Sequence, residues 1–229
     1  MSEHTSTRPR RGRIDREMIL DALLRLSQED PRSRLTFQRL GADLGVDATA
    51  MYRHFRNKDE LMRAALDRLM ERTVLATAEA TTGMPWRARV EHLAQHIAEA
   101  ALVYPTIGQD AATLTTQGPG EASEMEFLLA AFQEAGYRDD ALVRAYAAFD
   151  SAMLALVAGM AREAALDDHI APGSPAPWVE RLSLPNSSDY PLIVAHQEQL
   201  VALDGMSVYH AAIAAILDSI ERAAGSDAQ

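Results

Sequence analysis

The sequence predicts an all-α protein of two parts, a three-helix helix-turn-helix unit at the N-terminus and a larger helical domain after it. Apolar residues recur at spacings of three and four along most of the 229 residues, which indicates helices with one buried face. No stretch shows the sustained alternation of β-branched residues that is typical of strands. Ser, Thr, Asp or Asn stands directly before several of these apolar segments, where such residues cap helices.

The first four predicted helices begin at the capping residues Asp15, Thr36, Asp47 and Asn57. Gly45 ends the second helix, because glycine readily adopts the positive φ that a tight reversal requires. Asn57 is followed three residues later by a glutamate, which is the pattern of a capping box. We expect these helices at about 15–30, 36–44, 48–55 and 57–77.

The later helices are predicted from apolar spacing and from Pro and Gly breaks. The longest, at about 139–167, is apolar almost all round, which indicates burial on several sides. Residues 105–117 are a candidate for one more short helix, and the Gly-Pro-Gly at 118–120 is expected to be a turn. The segment 171–191 has five prolines and either closes over a pocket or only connects helices. The other helices are expected at 85–103, 121–135, 191–203 and 206–224.

Composition and charge exclude several classes of function. The chain has no cysteine, which excludes disulfide frameworks, thiol nucleophiles and cysteine-bound metals. Residues 1–72 carry 15 basic and 12 acidic side chains, whereas residues 73–229 carry 7 and 21. This asymmetry predicts that only the first part meets a polyanion. The most apolar run, 145–161, is shorter than the roughly 20 residues of a membrane-spanning helix, so we expect a soluble cytoplasmic protein with no membrane partner.

Two short helices joined at Gly45 form the arrangement in which the second helix enters the DNA major groove. Met51 and Phe55 lie four apart and are expected to face the core, with Val46 filling the gap between the two helices. The opposite face of the second helix is then free to meet DNA. That face carries Ala48, Thr49, Tyr52 and Arg53.

A resemblance to a known family lies in residues 35–67, which read LTFQRLGADLGVDATAMYRHFRNKDELMRAALD. This segment resembles the N-terminal DNA-binding domain of TetR-family transcriptional repressors, and the similarity extends over about 14–72. Beyond it, only the all-helical architecture is similar. The resemblance implies a ligand-binding and dimerisation domain, with the helices near 140–167 and 206–224 forming a four-helix bundle across a two-fold axis. The implied segments are a disordered basic arm at 1–13, a helix-turn-helix DNA-binding domain at 14–60, a connecting helix at 61–77 and the ligand-binding domain at 78–229.

The resemblance also implies roles in DNA binding for matching residues. Four are expected to hold phosphate or sugar: Thr36, Tyr52, His54 and Lys58. Three are candidates for contacts with base edges: Ala48, Thr49 and Arg53. The arm carries Arg8, Arg10, Arg11 and Arg13, which either follow the minor groove or only keep the chain soluble.

A small-molecule effector is implied as well, although the resemblance does not identify it. The candidate pocket residues are His96, Phe127, Tyr146, Phe149, Asp150 and Met153. Apolar and aromatic residues of this kind occur more often in a core than in a pocket, and sequence alone does not separate the two. Asp150 interrupts an apolar run. It either faces solvent or lines a pocket, where it would select a cationic or hydroxylated ligand.

Other chemistry has little support in the sequence. His92 and His96 have metal-ligand spacing but no third ligand nearby, so we predict no metal site. Nucleophile-elbow, dinucleotide, phosphate-loop and zinc-protease motifs are absent, so we expect neither an enzyme nor a cofactor.

The prediction is therefore a homodimeric regulator that binds double-stranded DNA, most simply a repressor released from a near-palindromic operator by a small molecule. An activator, a co-repressor-dependent regulator and a sensor with a vestigial DNA-binding domain stay open as alternatives.

Overall fold

The computed structural model describes residues 14–31, 33, 35–166 and 189–226, and every regular element within these ranges is a helix. The all-α prediction is therefore confirmed for the described part of the chain. The basic arm at 1–13 and most of the proline-rich segment at 171–191 lie outside the described residues.

The N-terminal unit consists of α1 (Arg16–Glu29), α2 (Phe37–Asp43) and a 3-10 helix (Ala48–Arg53). Their predicted caps are confirmed, since the side chains of the residues before each helix accept backbone N–H bonds. The third element was expected to be an α-helix over 48–55. It is instead a six-residue 3-10 helix, the tighter form that short connecting pieces adopt.

The connecting helix α3 (Lys58–Ala80) has 23 residues and extends three residues beyond the predicted end. Its buried face carries Thr73 and Thr77, followed by Thr81 at the C-terminal end of the helix. Each of the three hydroxyls donates to the backbone carbonyl four residues earlier, at 2.8 Å. Buried hydroxyls on this face are thereby satisfied within the helix itself.

The second part contains seven described helices. These are α4 (Trp86–Val103), α5 (Pro105–Gly108), α6 (Pro119–Glu134), α7 (Asp139–Leu166), α8 (Pro191–Ala195), α9 (Gln197–Ala202) and α10 (Gly205–Ser226). The expected turn at 118–120 is the first turn of α6. The single helix expected at 191–203 is broken at His196, because neither α8 nor α9 has a buried residue whose packing would hold one straight helix.

Two hydrophobic clusters form the interior. The C-terminal core joins α4, α6, α7 and α10 around the fully buried Phe132, Phe149 and Tyr209. The N-terminal core joins α1, α2, the 3-10 helix and the first half of α3. Ile107 and Ala111, from the second part of the chain, are buried in this N-terminal core as well. The two parts therefore share packing rather than meeting only through α3.

Residues Asp139–Ala165 of α7 form a helix that is long and apolar enough to cross a membrane, judged by length and composition alone. The shorter run considered from the sequence did not reach that length. In the fold, α7 packs against α4, α5, α6 and α10. Only 28% of its most apolar window is buried within the chain, so much of an apolar helix is left uncovered in a single copy.

Candidate nucleic-acid interface and ligand-binding cavity

The turn between α2 and the 3-10 helix is built on two glycines. Gly45 has a φ of +67°, the left-handed conformation that the tight reversal requires. Gly41 is buried where the two helices meet, and a Cβ there would lie 2.8 Å from the carbonyl oxygen of Val46. The Val46 N–H donates to the Gly41 carbonyl at 2.8 Å. These contacts fix the angle at which the 3-10 helix leaves α2.

The 3-10 helix is held by its buried face and presents the other face to solvent. Met51 and Phe55 are 0% and 1% exposed, which confirms their predicted core positions. Thr49, Tyr52 and Arg53 are exposed on the same short segment. The Tyr52 ring stands edge-on to the Phe37 ring, with their centroids 4.8 Å apart. This contact orients an otherwise exposed aromatic side chain.

Arg16, which is not among the residues predicted from the sequence, anchors the end of this segment. Its guanidinium lies 4.3 Å from the centroid of the Phe55 ring and donates to the His54 carbonyl at 3.2 Å. It also pairs with Glu60 at 3.4 Å. Glu60 in turn accepts the Arg56 N–H at 2.8 Å. The partners are 38 to 44 residues from Arg16 in sequence, so no local pattern signals the contact.

Two helix starts flank the exposed face of the 3-10 helix. The Thr36 hydroxyl accepts the Arg39 N–H at 3.2 Å at the start of α2. Lys58 is exposed in the first turn of α3, directly after the cap Asn57. The positive charge of Lys58 lowers the pKa of the Asp110 carboxyl, but burial has the larger effect, so this pKa is raised overall. Ala48 and His54 are half-buried at the two ends of the 3-10 helix, and Arg13 lies outside the described residues.

A cavity of about 300 Å³ lies between α3, α6, α7 and the segment after α5. Its lining mixes methionines and small side chains with three carboxylates, Glu121, Glu124 and Asp150. Among the described lining residues there is no Lys, Arg or His. Glu124 also borders a smaller cavity of about 30 Å³ whose other lining side chains are almost entirely apolar. The cavity therefore combines an apolar wall with a concentration of acidic side chains.

Burial controls the protonation of the cavity carboxylates. Desolvation, followed by the charges of Asp150 and Glu121, raises the pKa of Glu124 to about 8. Desolvation also raises the pKa of Asp150 to about 6, although the Tyr146 hydroxyl donates to this carboxylate and opposes the rise. The pKa of Tyr146 is raised to about 12, first by burial and then by the Asp150 charge. The site is thus lined by acidic groups whose ionised forms are penalised by burial.

Of the six predicted pocket residues, the structure places some in the wall of the cavity and others elsewhere. Tyr146 and Asp150 line the cavity, and Asp150 is half-buried there. Phe149 and Met153 are fully buried in the C-terminal core, and Phe127 packs against that core. None of these three is in the cavity wall, because they lie on faces of α6 and α7 that turn toward other helices.

His96 bonds to α3 rather than reaching the cavity. Its Nδ1 lies 2.8 Å from the Thr77 hydroxyl, whose own proton is donated to the Thr73 carbonyl. The rings of His92 and His96 are 6.1 Å apart. In the described part of the chain, no group of three or more His, Asp or Glu side chains is arranged so that it could hold a metal ion.

Asp67 of α3 receives the N-terminus of α6 in an arrangement that we call the Asp67 clamp. Its Oδ1 accepts the N–H groups of Gly120 and Glu121, both at 3.1 Å, and lies 2.8 Å from the Thr116 hydroxyl. The Glu121 carboxylate closes the loop by accepting the N–H groups of Thr116 and Gln117 at 2.8 and 2.6 Å. A Cβ on Gly120 would collide with the Asp67 backbone at 2.0 Å. The clamp thus joins the cavity wall directly to the connecting helix.

Glu124 was missed by the sequence reasoning, yet a signal existed. In α6 the buried residues are Gly120, Glu124, Leu128, Ala131 and Phe132. Spacings of four and three place Glu124 on the same face as Leu128 and Ala131. A glutamate on the apolar face of a helix is a marker for a buried charge. The partners of Asp67 could not be found in this way, because 49 to 54 residues separate them from it.

Comparisons with known proteins match both parts of the chain. Residues 19–65 match the family model described as bacterial regulatory proteins of the tetR family, and residues 79–223, more than half of the chain, match the tetracyclin repressor-like C-terminal domain. The chain is 38% identical over 80 residues to the HTH-type transcriptional repressor Rv1353c of Mycobacterium tuberculosis, which covers 35% of this chain and 30% of that protein. The match thus spans less than a third of that curated relative's length.

Solved structures share the fold over nearly the whole chain. A possible TetR family transcriptional regulator from Streptomyces coelicolor A3(2) has a TM-score of 0.75 at 23% identity, covering 91% of this chain and 100% of that one. The Streptomyces coelicolor TetR family protein ActR in complex with (S)-DNPA has a TM-score of 0.70 at 17% identity, covering 92% and 98%. At these identities the likeness concerns the fold.

Proposed function

Because this chain belongs to the TetR family of bacterial transcriptional regulators, we propose that it is a repressor that leaves a near-palindromic operator when a small molecule fills the cavity. The observation that carries the proposal is the exposed face of the 3-10 helix, fixed over the buried Met51 and Phe55. Its neighbours are the helix start at Thr36 and the exposed Lys58. Proteins of this family are regulators rather than enzymes, and we assign the chain no catalytic activity and a cytoplasmic location.

The proposed DNA contacts divide into two classes. Ala48, Thr49 and Arg53 reach base edges, with the methyl groups against thymine and the guanidinium against guanine. The second class holds the phosphate backbone and fixes the register of the protein on DNA. It comprises Thr36, Tyr52, His54, Lys58 and, from the arm, Arg13.

Dimerisation is proposed to occur through α7 and α10. Each helix has a stripe of exposed small or apolar residues at spacings of four. The stripes are Val143, Ala147, Ser151, Ala155 and Gly159 on α7, and Ser207, Ala211, Ala215 and Ser219 on α10. Ser151 and Ala155 also border the cavity. Such stripes allow helices of two copies to approach closely in a four-helix bundle. We call the exposed face of the 3-10 helix the reading face. The reading faces of the two copies would then meet half-sites about 34–36 Å apart.

Release is proposed to pass through the Asp67 clamp. A ligand in the cavity contacts the first turns of α6, which carry Glu121 and Glu124. The clamp ties those turns to Asp67 on α3, and α3 packs against α1 in the DNA-binding unit. Ion pairs of Arg68 with Glu17 and of Arg72 with Asp21 strengthen that second contact. A shift of α6 would therefore change the spacing of the two reading faces.

The proposal is tested by measuring how tightly the purified protein binds DNA from upstream of its own gene, compared with random DNA, at two salt concentrations. We expect selective binding that weakens steeply as salt rises, because phosphate contacts release counterions. Lys58→Ala should weaken binding to every sequence and reduce the salt slope by about 1. Arg53→Ala should instead relax sequence preference at one position.

The outcomes separate the alternatives. Binding without selectivity or salt dependence in wild type would overturn the regulator proposal and favour a sensor with a vestigial DNA-binding domain. Selective binding that strengthens when ligand is added would identify a co-repressor-dependent regulator. A reporter gene placed behind the operator distinguishes repression from activation.

A further inference from the structure

Glu124 is a buried carboxylate without a visible partner. Its side chain is 2% exposed, and neither carboxylate oxygen has a hydrogen-bond partner among the described residues. It stands between the 300 Å³ cavity and the smaller apolar one. A buried carboxyl without a partner keeps its proton or, when it ionises, needs a counter-charge from the protein or from a ligand. Glu124 therefore points to something that the cavity is built to hold.

The charge of the cavity indicates the sign of that ligand. Asp150 and Glu121 line the same cavity, and no basic side chain among the described lining residues balances them. The negative charges of these two carboxylates disfavour the ionised form of Glu124, in addition to the effect of the burial of Glu124. A positive ligand would relieve this repulsion, whereas an anion would add to it.

The size and lining of the cavity indicate an organic body rather than a metal ion. About 300 Å³ is the lower end of the range for small-molecule sites. Within the described residues, no three His, Asp or Glu side chains are placed so that together they could hold a metal ion. Met70, Met125 and Leu154 supply adaptable apolar contacts. The Tyr146 ring adds an aromatic surface of the kind that attracts cations.

We propose that the effector of this cavity is an organic cation with an apolar body, held by the carboxylates of Glu124 and Asp150 and by the ring of Tyr146. The inference rests on the ligand-responsive function proposed above and specifies the chemical class of its ligand. The ammonium group of the ligand lies between the two carboxylates, and its apolar body packs against Met70, Met125 and Leu154.

The test is calorimetric titration of the full-length protein with three probes of similar size. These are 3-phenylpropylammonium, the neutral 3-phenyl-1-propanol and the anion 3-phenylpropanoate. We expect the cation to bind roughly 10- to 100-fold more tightly than the alcohol, as charge-assisted contacts do. The anion should bind most weakly. This comparison uses the wild-type chain, so it does not depend on any variant folding.

Variants then locate the charge effect. Glu124→Gln and Asp150→Asn should each lower affinity for the cation about tenfold and leave affinity for the alcohol unchanged. Glu126→Gln, an exposed change on the same helix, should alter neither. The inference is overturned if the cation does not bind, if the alcohol or the anion binds as tightly, or if both cavity variants bind the cation like wild type.

The operator-binding experiment keeps this inference distinct from the proposed function. Selective DNA binding without cation binding overturns the ligand class and leaves the regulator intact. Cation binding that depends on Glu124, in a protein that does not bind DNA selectively, supports the ligand class and overturns the proposed regulation.

Discussion

Gly41 shows how a single residue sets the geometry of the reading face. A Cβ at this position would lie 2.8 Å from the Val46 carbonyl oxygen and 3.1 Å from the Ala48 nitrogen. Both are backbone atoms, which cannot move aside as a flexible side chain can. We expect Gly41→Ala to lower the free energy of unfolding by about 1–3 kcal/mol and to weaken operator binding, because the 3-10 helix must shift.

Urea unfolding followed by circular dichroism measures the effect on stability. Gln38→Ala, an exposed change on the same helix, is the matched control and should shift the midpoint little. If the two variants unfold at the same midpoint as wild type, the close approach at Gly41 is not a constraint.

Glu124 predicts a pH dependence of stability. Burial first, and then the Asp150 and Glu121 charges, raise its pKa from 4.5 to about 8. The folded chain keeps a proton that the unfolded chain loses, so the stability contribution is full below pH 4.5 and falls as pH rises toward 8. The slope for one group is at most about 1.4 kcal/mol per pH unit.

Glu124→Gln should remove this slope, so the variant is more stable than wild type near pH 8 and similar to it at low pH. Urea midpoints across a pH series measure the difference, with Glu126→Gln as the exposed control on the same helix. Parallel pH profiles for wild type and Glu124→Gln would show that Glu124 does not hold its proton.

Local sequence signals predicted some residues well and others poorly. Met51 and Phe55 were recognised because a spacing of four is enough to place both on one helix face. Phe149 and Met153 lie three and seven residues after Tyr146 on α7, yet only Tyr146 reaches the cavity. Which face of an apolar helix meets a cavity depends on the neighbouring helices, and no pattern within α7 contains that information.

Among the elements, the Asp67 clamp is the contact most open to test. Replacing Asp67 with Asn keeps the shape but removes the negative charge that favours the N-terminus of α6. We expect Asp67→Asn to lower the free energy of unfolding by about 1–3 kcal/mol and to accelerate hydrogen exchange at the Gly120 and Glu121 amides. Ligand-induced release from DNA should also weaken.

Hydrogen exchange measured by NMR reports on those amides directly. Glu79→Gln changes an exposed charge on the same helix and should leave their exchange unaltered. Unchanged protection of both amides in Asp67→Asn would mean that the clamp does not hold α6 against α3.

Element boundaries followed the sequence where short-range signals exist. The caps Asp15, Thr36 and Asn57 were identified because a cap and its N–H partner are only three residues apart. The form of the 3-10 helix was missed, because apolar spacing over six residues does not separate it from an α-helix. The start of α6 at Pro119 was missed since a Gly-Pro-Gly sequence is typical of a turn, whereas here Asp67 supplies the missing helix cap.

At the scale of the whole molecule, the uncovered stripes on α7 and α10 predict the assembly. Ala215→Arg on α10 should weaken dimerisation by roughly 100-fold or more, because a buried unpaired charge is costly. Light scattering across a dilution series measures the mass of the particle. Ala122→Arg, on the exposed side of α6, is the control and should remain a dimer. A dimeric Ala215→Arg with unchanged affinity would place the interface elsewhere.

The charge asymmetry of the sequence predicts the division of the molecule into two parts. It does not predict that residues of the second part pack in the core of the first. Ile107 and Ala111 are apolar residues in and directly after α5. Which hydrophobic core they enter depends on where α5 packs. Only the folded chain shows that they enter the N-terminal core beside the DNA-binding helices. Long-range packing of this kind has no counterpart in local spacing.

That shared core limits how this protein can be re-engineered. Exchanging DNA-binding units between relatives is a natural way to connect one sensor to another operator. A junction placed after α3 would leave Ile107 and Ala111 facing foreign side chains whose volumes were never matched to them. Tyr104 and Leu114 pack against the same cluster. A working chimera must therefore take residues 104–114 from the same protein as α1–α3. The unit to be exchanged consists of two segments that are separate in sequence.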